Sequence, residues 1–356
     1  MIAVRTKKLL KKIFVTVVTV IVLLFLFEIT LRIFFKFKFE PRGRARLPAS
    51  QTFKLSENKD LLYELLPGSQ AEIRGVEIKI NAAGFRDKEY GPPESEKTRI
   101  VCVGDSVTYG WMVALEDTYH KRLESLLNER GYKAEVLGMG VPGYNTIQEY
   151  CLIREKALNF DPDLLLLQIV VNDFERTVSI RTFREGKKLV LVPYHDFTIP
   201  FMVKRTGFTY FLMKSSHLFK FVNLRLSWIK TKQDPGFTPR DVFLLGEERS
   251  LRYLKKIKSL LDKNDVRFAA VIFPFQQRED IYAYSALHDK IHALFEKIQV
   301  PYIDLFETLN SDGGEGLWQS RRHPNKIGYK AASAAIFEFL LPLLEKLEKK
   351  EAVENH

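Results

Sequence analysis

One short segment combines a hydroxyl nucleophile with a setting that would activate it. The segment GDSVTYG occupies residues 104–110 and directly follows the apolar run Arg99–Val103. A short apolar run that ends at a glycine is typical of a buried strand, which places Ser106 on a turn between a strand and a helix. Its hydroxyl is then exposed, and its N–H lies at a helix start, where developing negative charge is favoured. Ser106 is therefore a candidate nucleophile; the alternative is a plain helix N-cap, which would not need the Thr108 and Gly110 that follow.

Three further segments place polar groups at the ends of predicted strands. They are GVPGY at 140–144, VVNDF at 170–174 and HPNKIGY at 323–329. Gly140 lets the backbone approach a ligand and offer its N–H, and Asn172 can donate its side-chain amide. His323 has the side chain most often used as a general base near neutral pH. Taken singly, each of these segments is explained equally well as a turn or a helix-start loop.

The elements that must position these residues alternate between strand and helix patterns. Predicted strands cover Arg99–Val103, Ala134–Leu137, Asp163–Val171, Arg267–Phe273 and Tyr302–Leu305. Predicted helices cover Thr118–Glu129, Ile147–Leu158, Glu247–Asp262, Asp280–Ile298 and Lys330–Leu347. Five strands separated by helices predict a three-layer α/β domain of flavodoxin-like winding, with helices on both faces of a parallel sheet. Sites in such sheets form at the carboxyl ends of the strands, where the polar segments lie.

The N-terminal segment predicts a membrane anchor. Ile13–Leu31 is 19 residues of almost uninterrupted apolar character, and Glu28 is its only charge. A spanning helix needs roughly 17–25 residues, and a Glu near the helix end can lie at the membrane interface. The run ends without the small-residue exit of a cleaved signal peptide, which favours an uncleaved single-pass helix. Basic residues flank it almost equally on both sides, so charge alone leaves the membrane orientation open.

Composition removes several classes of function. The net charge is +11, but residues 1–46 hold eleven Lys or Arg against Glu28 and Glu40, so the body of the chain is near neutral and no nucleic-acid partner is expected. Cys102 and Cys151 are the only cysteines, which excludes a disulfide framework. His288 and His292 have the i, i+4 spacing that can bind a metal, but no third ligand is evident. Neither a metal nor a cofactor is expected.

The predicted organisation divides the chain into five segments. They are a basic flank at 1–12, the anchor at 13–31, a tether and N-terminal extension at 32–97, the main domain at 98–347 and a charged tail at 348–356. The main domain carries an insertion at 174–246 that is rich in aromatic residues and lysine. That insertion forms either a lid or substrate wall, or a helical excursion that only thickens the core.

Taken together in chain order, the Ser, Gly, Asn and His segments resemble the four sequence blocks of the SGNH (GDSL-type) hydrolase superfamily. NAAGFRD at 81–87 and EITLR at 28–32 are similar to segments of its membrane-anchored bacterial members. The resemblance implies that Ser106 is the nucleophile and His323 its base. It also implies an oxyanion hole made by the backbone N–H groups of Ser106 and Gly140 and the side chain of Asn172.

The sequence departs from the pattern of this superfamily in three places. Ser320 stands where the family usually has an Asp, three residues before the histidine. Asp312 or Glu315 could orient His323 instead, or Ser106 and His323 could act as a dyad. Val170 replaces a glycine, and Gly138 replaces a frequent Asn.

Two arginines flank the predicted base. Arg321 and Arg322 directly precede His323. They could bind an anionic substrate, they could repel a proton from His323, or they could be a solvated pair without a role.

The resemblance implies a serine esterase on ester-linked acyl groups, with an O-acetyl ester of envelope or extracellular carbohydrate or lipid as the first candidate. The catalytic domain is then expected outside the cytoplasmic membrane. Two alternatives remain open: an acyltransferase on an exported glycan that uses the same residues, and a non-catalytic glycan-binding module. The oligomeric state is open.

Overall fold

The computed structural model describes residues 2–37, 52–58, 61, 63–94, 96–174, 180–185, 188–193, 216–219, 222, 239–277, 282 and 284–354. Within these ranges some helix and strand residues, Asp312 among them, are described by their backbone only. The chain divides into two compact units. The first combines Met1–Ser50 with Thr177–Phe237, and the second combines Gln51–Arg176 with Thr238–His356.

The described residues form thirteen strands and seven α-helices. The strands are β1 (Phe53–Leu55), β2 (Tyr63–Leu65), β3 (Gln70–Ile73), β4 (Val76–Lys79), β5 (Thr98–Gly104), β6 (Ala134–Gly140), β7 (Leu164–Val170), β8 (Ile180–Glu185), β9 (Lys188–Pro193), β10 (Arg267–Phe273), β11 (Tyr302–Asp304), β12 (Trp318–Ser320) and β13 (His323–Pro324). The helices are α1 (Ile2–Phe37), α2 (Tyr119–Glu129), α3 (Thr146–Glu155), α4 (Pro239–Lys263), α5 (Ser285–Lys297), α6 (Phe306–Asn310) and α7 (Lys326–Glu354).

The centre of the second unit is a five-stranded sheet in the order β11-β10-β7-β5-β6, and its described pairings are all parallel. Every residue of β7 is buried, as expected for a central strand covered on both faces. Helices flank the sheet: α2 packs against α7, and α3 packs against α4. The predicted three-layer α/β architecture is confirmed.

Several element boundaries differ from the prediction. Strand β6 continues to Gly140 because Met139 and Gly140 pair with Val103 and Gly104 of β5. Helix α4 begins at Pro239 rather than 247. Helix α7 runs from Lys326 to Glu354, so most of the predicted charged tail continues a helix.

The N-terminal extension is more regular than predicted. It forms the antiparallel pairs β1–β2 and β3–β4. The turn between β3 and β4 uses Arg74 and Gly75 at φ of 52° and 80°, a left-handed conformation that glycine favours in tight hairpins. Tyr63 ties the extension to the main domain, since its hydroxyl donates to the carbonyl of Pro142 at 2.9 Å.

In the first unit, residues Leu10–Ile33 of α1 are long and apolar enough to cross a membrane, with a mean hydropathy of 2.7 and none of the most apolar stretch buried. This helix is consistent with a membrane anchor or a signal sequence. Residues Lys326–Glu345 of α7 pass the same test, but 44% of that stretch is buried within the protein. The packing of α7 against α2 explains its apolar character as that of a core helix.

Glu28, the charge within the apolar run, is fully partnered inside the first unit. Its carboxylate accepts hydrogen bonds from Arg32 Nε at 2.7 Å and from the backbone N–H groups of His217 and Leu218 at 2.9 and 2.6 Å. Residues 217 and 218 belong to the predicted insertion, which is therefore joined to α1 here. The two interpretations of the insertion, a lid or substrate wall and a helical excursion that thickens the core, concern mainly residues 194–215 and 223–238, which lie outside the described residues.

Candidate active site

The structure brings Ser106 and His323 together although 217 positions separate them in the chain. Ser106 Oγ lies 2.9 Å from His323 Nε2. The same hydroxyl lies 3.2 Å from Asp105 Oδ2, so its single proton has two acceptors within reach. This contact places a hydroxyl and an imidazole at hydrogen-bond distance, which is the arrangement that nucleophilic catalysis requires.

The turn that carries Ser106 is held on its sheet side by Gln168 of β7. Gln168 Oε1 accepts hydrogen bonds from the backbone N–H groups of Asp105 and Thr108, both at 3.1 Å, and from Thr108 Oγ1 at 2.9 Å. From α7, the Tyr329 hydroxyl donates to the carbonyl of Val107 at 2.9 Å. Buried hydrogen bonds of this kind fix the direction of the turn, and with it the direction of Ser106 Oγ.

The end of the same turn is held by Arg86 of the N-terminal extension. Arg86 is only 2% exposed, and its guanidinium donates to the carbonyls of Tyr109, Gly110 and Val113 at 3.0, 2.6 and 2.8 Å. Burial lowers the pKa of Arg86, but an arginine side chain remains charged at any physiological pH. The segment at 81–87 therefore supports the Ser106 turn.

Gly140 lies at the end of β6, beside the Ser106 turn. A Cβ there would collide with the backbone of Thr108 and Tyr109. The glycine is thus required by the close approach of two backbones, which also brings the Gly140 peptide next to Ser106.

Asn172 follows β7 on a short 3₁₀ turn, and its Nδ2 donates to Asp105 Oδ2 at 3.0 Å. The other oxygen of Asp105 accepts the backbone N–H of Val107 at 2.9 Å. Asp105 thereby connects Ser106 to Asn172. Ser106, Gly140 and Asn172 lie at the carboxyl ends of the adjacent strands β5, β6 and β7. Their role as an oxyanion hole stays a prediction.

His323 begins the short strand β13, which pairs with β12 so that Ser320 lies opposite the histidine. Ser320 Oγ lies 3.1 Å from His323 Nδ1. The hydroxyl therefore occupies the place that a carboxylate would take beside the ring. The loop is fixed at its far end by Asn325, whose Oδ1 accepts the N–H groups of Ile327 and Gly328 at the start of α7.

Of the two acids predicted as substitutes for the missing carboxylate, only Glu315 has a described side chain. Glu315 is exposed and has no hydrogen bond to the histidine. The side chain of Asp312 lies outside the described residues.

Burial lowers the pKa of His323 below its usual range; the positive charge of Arg322 lowers it further, while Asp105 works in the opposite direction. A lowered pKa keeps the imidazole neutral near pH 7, which is the form that can accept a proton. Arg321 and Arg322 are exposed, and the Arg322 guanidinium lies over the ring of Phe275, 5.4 Å from its centroid. Arg322 thus acts on His323 through its charge.

The structure explains the unusual Gly138. A Cβ at this position would collide with the ring of His120, which is fully buried against it. Burial also lowers the pKa of His120 well below its usual range, so this ring is a neutral core residue.

Two buried polar residues near Ser106 were missed by the sequence analysis. Gln168 interrupts the apolar run LLLLQIV, and a polar residue in a strand covered on both faces was a signal for a hydrogen-bonding role. Glu149 is fully buried on α3, and neither carboxyl oxygen has a hydrogen-bond partner within the described part of the chain. Burial, with a smaller contribution from the neighbouring Asp105, raises the pKa of Glu149 well above its usual range, so the Glu149 carboxyl is neutral near pH 7.

Comparison with known proteins identifies the family of the chain. The GDSL-like Lipase/Acylhydrolase family matches residues 102–331, which include the Ser106 turn and His323. The chain belongs to this family and is an ester hydrolase. No curated protein matches the chain.

Solved structures that match the chain do so at low identity. A lipolytic protein of the G-D-S-L family from Desulfitobacterium hafniense is 14% identical, with a TM-score of 0.43, and the match covers 68% of this chain and 99% of that one. An acylhydrolase from Bacteroides fragilis is 14% identical, with a TM-score of 0.42, covering 71% of this chain and 91% of that one. An acetyl xylan esterase is 14% identical, with a TM-score of 0.42, covering 68% of this chain and all of that one.

Proposed function

We propose that the protein is a serine ester hydrolase in which Ser106 is the nucleophile and His323 is the general base. The observation that carries this proposal is the continuous chain of contacts from Ser106 Oγ through the His323 ring to Ser320 Oγ, at 2.9 and 3.1 Å. Ser106 Oγ bonds to the acyl carbon while its proton passes to His323 Nε2. The histidine then gives that proton to the departing alcohol oxygen, and water releases the acyl group from Ser106 by the same route.

The negative charge on the acyl oxygen is stabilised by donors at the ends of three adjacent strands. These are the backbone N–H groups of Ser106 and Gly140 and the amide of Asn172. One N–H of that amide is directed at Asp105, and the amide has a second. Loss of a single donor of this kind costs about 3–4 kcal/mol of transition-state stabilisation.

Ser320 replaces the acid as the residue that orients His323. When Ser320 Oγ accepts a hydrogen bond from Nδ1–H, the lone pair of Nε2 faces the nucleophile. A hydroxyl fixes the ring in this way but adds no negative charge, so it stabilises the imidazolium less than a carboxylate does. We therefore expect turnover to be modest for an enzyme of this type.

The substrate class we propose is an O-acyl ester, with O-acetyl groups of envelope or extracellular carbohydrate or lipid first. The support is the apolar helix α1, which would hold the enzyme at a membrane as an uncleaved anchor. The catalytic unit then lies outside the cytoplasmic membrane.

Covalent labelling tests the nucleophile without a choice of substrate. The full chain in detergent is treated with a fluorophosphonate, and the labelled residue is found by mass spectrometry. Labelling at Ser106 that is lost in Ser106→Ala and strongly reduced in His323→Ala is expected. Ser125→Ala is the matched control, since Ser125 is exposed on α2 and should leave labelling unchanged.

The outcomes separate the remaining functions. A folded protein without labelling at Ser106 would contradict the proposed hydrolase and favour a glycan-binding module. If Ser106 is labelled, an acetyl-donor assay distinguishes release of the acyl group to water from transfer to a sugar hydroxyl. Dominant transfer would assign the acyltransferase.

A further inference from the structure

A second group of titratable residues lies at the far edge of the sheet from the Ser106 turn. His288 and His292 lie one turn apart on α5, and Asp304 is the last residue of the edge strand β11. Strands β10 and β7 separate β11 from the strand that precedes Ser106. This group therefore has no part in the Ser106–His323 contact.

The two imidazoles converge on a single carboxylate oxygen. His288 Nδ1 lies 2.6 Å and His292 Nε2 lies 2.8 Å from Asp304 Oδ2. The three ligand atoms lie within 4.8 Å of one another. Two imidazole nitrogens and one carboxylate oxygen, grouped this closely, match the donor set of zinc sites that keep an open position.

Each ligand is held by a further contact, as metal ligands usually are. The other oxygen of Asp304 accepts the backbone N–H of Phe306 at 2.9 Å, which directs Oδ2 toward the histidines. His288 Nε2 lies 3.3 Å from the Tyr282 hydroxyl, and that hydroxyl accepts the N–H of Phe275 at 3.0 Å. The ring of His292 stacks on Tyr302 at a centroid distance of 4.9 Å.

The site is accessible from one side. The side chains of His288 and Asp304 are 6% and 14% exposed, but that of His292 is 30% exposed. An ion can enter past His292, and water can occupy its remaining coordination position. Movement of the ligand atoms by less than about 1 Å would replace the two hydrogen bonds by metal bonds of about 2.0–2.2 Å.

We propose that His288, His292 and Asp304 form a binding site for a zinc-class divalent transition metal ion. Two neutral imidazoles and one carboxylate suit Zn²⁺, Co²⁺ or Ni²⁺ better than Mg²⁺ or Ca²⁺, which prefer oxygen ligands. The ion would cross-link α5 to the end of β11. Each imidazole stays neutral on binding, because its single ring proton moves to the nitrogen that does not hold the ion: Nε2 of His288, beside the Tyr282 hydroxyl, and Nδ1 of His292.

Direct titration of the metal tests this proposal. The full chain, purified in detergent with a tag that contains no histidine and stripped with a chelator, is titrated with Zn²⁺ by calorimetry and with Co²⁺ by visible absorption. We expect one equivalent bound per chain and a Co²⁺ spectrum with nitrogen and oxygen ligands. Zinc should also raise the thermal unfolding temperature.

Variants distinguish this site from adventitious binding. His292→Ala and Asp304→Asn should each weaken zinc binding by about 100-fold or more, and Tyr282→Phe by about 10-fold because it removes a contact behind His288. Asn at 304 keeps an oxygen for the Phe306 N–H, so the fold is retained. Asp289→Asn, an exposed carboxylate on the same helix, is the matched control and should leave binding unchanged.

Two results would overturn the proposal. One is wild-type protein that binds no equivalent of zinc or cobalt. The other is binding that is equally tight in wild type and His292→Ala, with the same shift in unfolding temperature. Circular dichroism of each variant checks that a loss of binding does not come from unfolding.

Discussion

The protein contains two histidine environments that differ in the group beside the ring: a hydroxyl in one and a carboxylate in the other. His323 is oriented by a hydroxyl, has an arginine beside it in the chain and has its pKa lowered by burial. His288 and His292 share the full charge of Asp304 at hydrogen-bond distance. A histidine whose Nδ1 contacts a hydroxyl can act as a neutral base, whereas two histidines around one carboxylate form a polar cluster that is open on one side. The group that contacts the ring nitrogen of a histidine therefore determines what chemistry that histidine can perform.

The largest effect is expected when the base itself is removed. His323→Ala should lower ester turnover by at least about 10³-fold, because no other described group lies near enough to Ser106 Oγ to take its proton except Asp105. Asp304→Asn should leave turnover within about twofold. Turnover of a small activated ester by both variants measures the contrast, and a comparable loss in both would erase the distinction between the two environments.

The second effect comes from exchanging the contact of His323. Ser320→Ala should lower turnover by about tenfold, since the ring loses the group that orients it. Ser320→Asp should raise turnover by about tenfold and raise the pKa of His323, because a negative charge stabilises the imidazolium. The readout is turnover against pH for the three proteins. The acid limb of this profile is the fall in turnover at low pH. If its midpoint is the same in Ser320→Asp as in wild type, residue 320 does not act through the His323 ring.

The third prediction concerns stability at the other cluster. Burial works to raise the pKa of Asp304, but hydrogen bonds from His288, His292 and the Phe306 N–H prevail and lower it. A carboxyl with a lowered pKa stabilises the fold above its ordinary pKa, and the contribution is lost as the pH falls through the folded value. Asp304→Asn should therefore be about 1–2 kcal/mol less stable at pH 7.

The same difference in stability should shrink toward zero below pH 3.8, the ordinary pKa of the group. Urea unfolding of wild type and Asp304→Asn at pH 7 and again below pH 3.8, with chelator present to exclude metal effects, measures this difference in the free energy of unfolding. A difference that is independent of pH would indicate lost packing rather than lost charge.

The smallest effect is expected from the arginine beside His323. Arg322→Gln removes a positive charge that lowers the pKa of His323, so the acid limb of turnover should move a few tenths of a unit to higher pH. Arg321→Gln is the matched neighbour and should move it less. In wild type the limb should lie below 6.5, the ordinary value for histidine, because only the neutral ring accepts a proton.

Most of the fold could be predicted because it depends on local patterns. The apolar runs of the five sheet strands and the polar residues that end them were visible in the sequence. Ser106, Gly140 and Asn172 lie at one edge of the sheet because its parallel strands end there. The contact of Ser320 with His323 follows from the pairing of two very short strands, which have no signal of their own. Asp304 reaches His288 and His292 only because α5 packs back on β11, and that packing could not be inferred from spacing. Gln168 was conspicuous by type, but its direction within β7 depends on the register of the sheet.

Arg86 has a consequence for how this chain can be divided during evolution. The family match begins at residue 102, yet the guanidinium that satisfies three carbonyls beyond Ser106 comes from before the first sheet strand. A recombination event that joined a foreign leader to Thr98 would remove the Arg86 guanidinium from those buried carbonyls. A buried carbonyl without a hydrogen-bond donor lowers the free energy of unfolding. The five-stranded sheet and the segment in front of it therefore form one structural unit, and we expect a new leader to be tolerated only ahead of that segment.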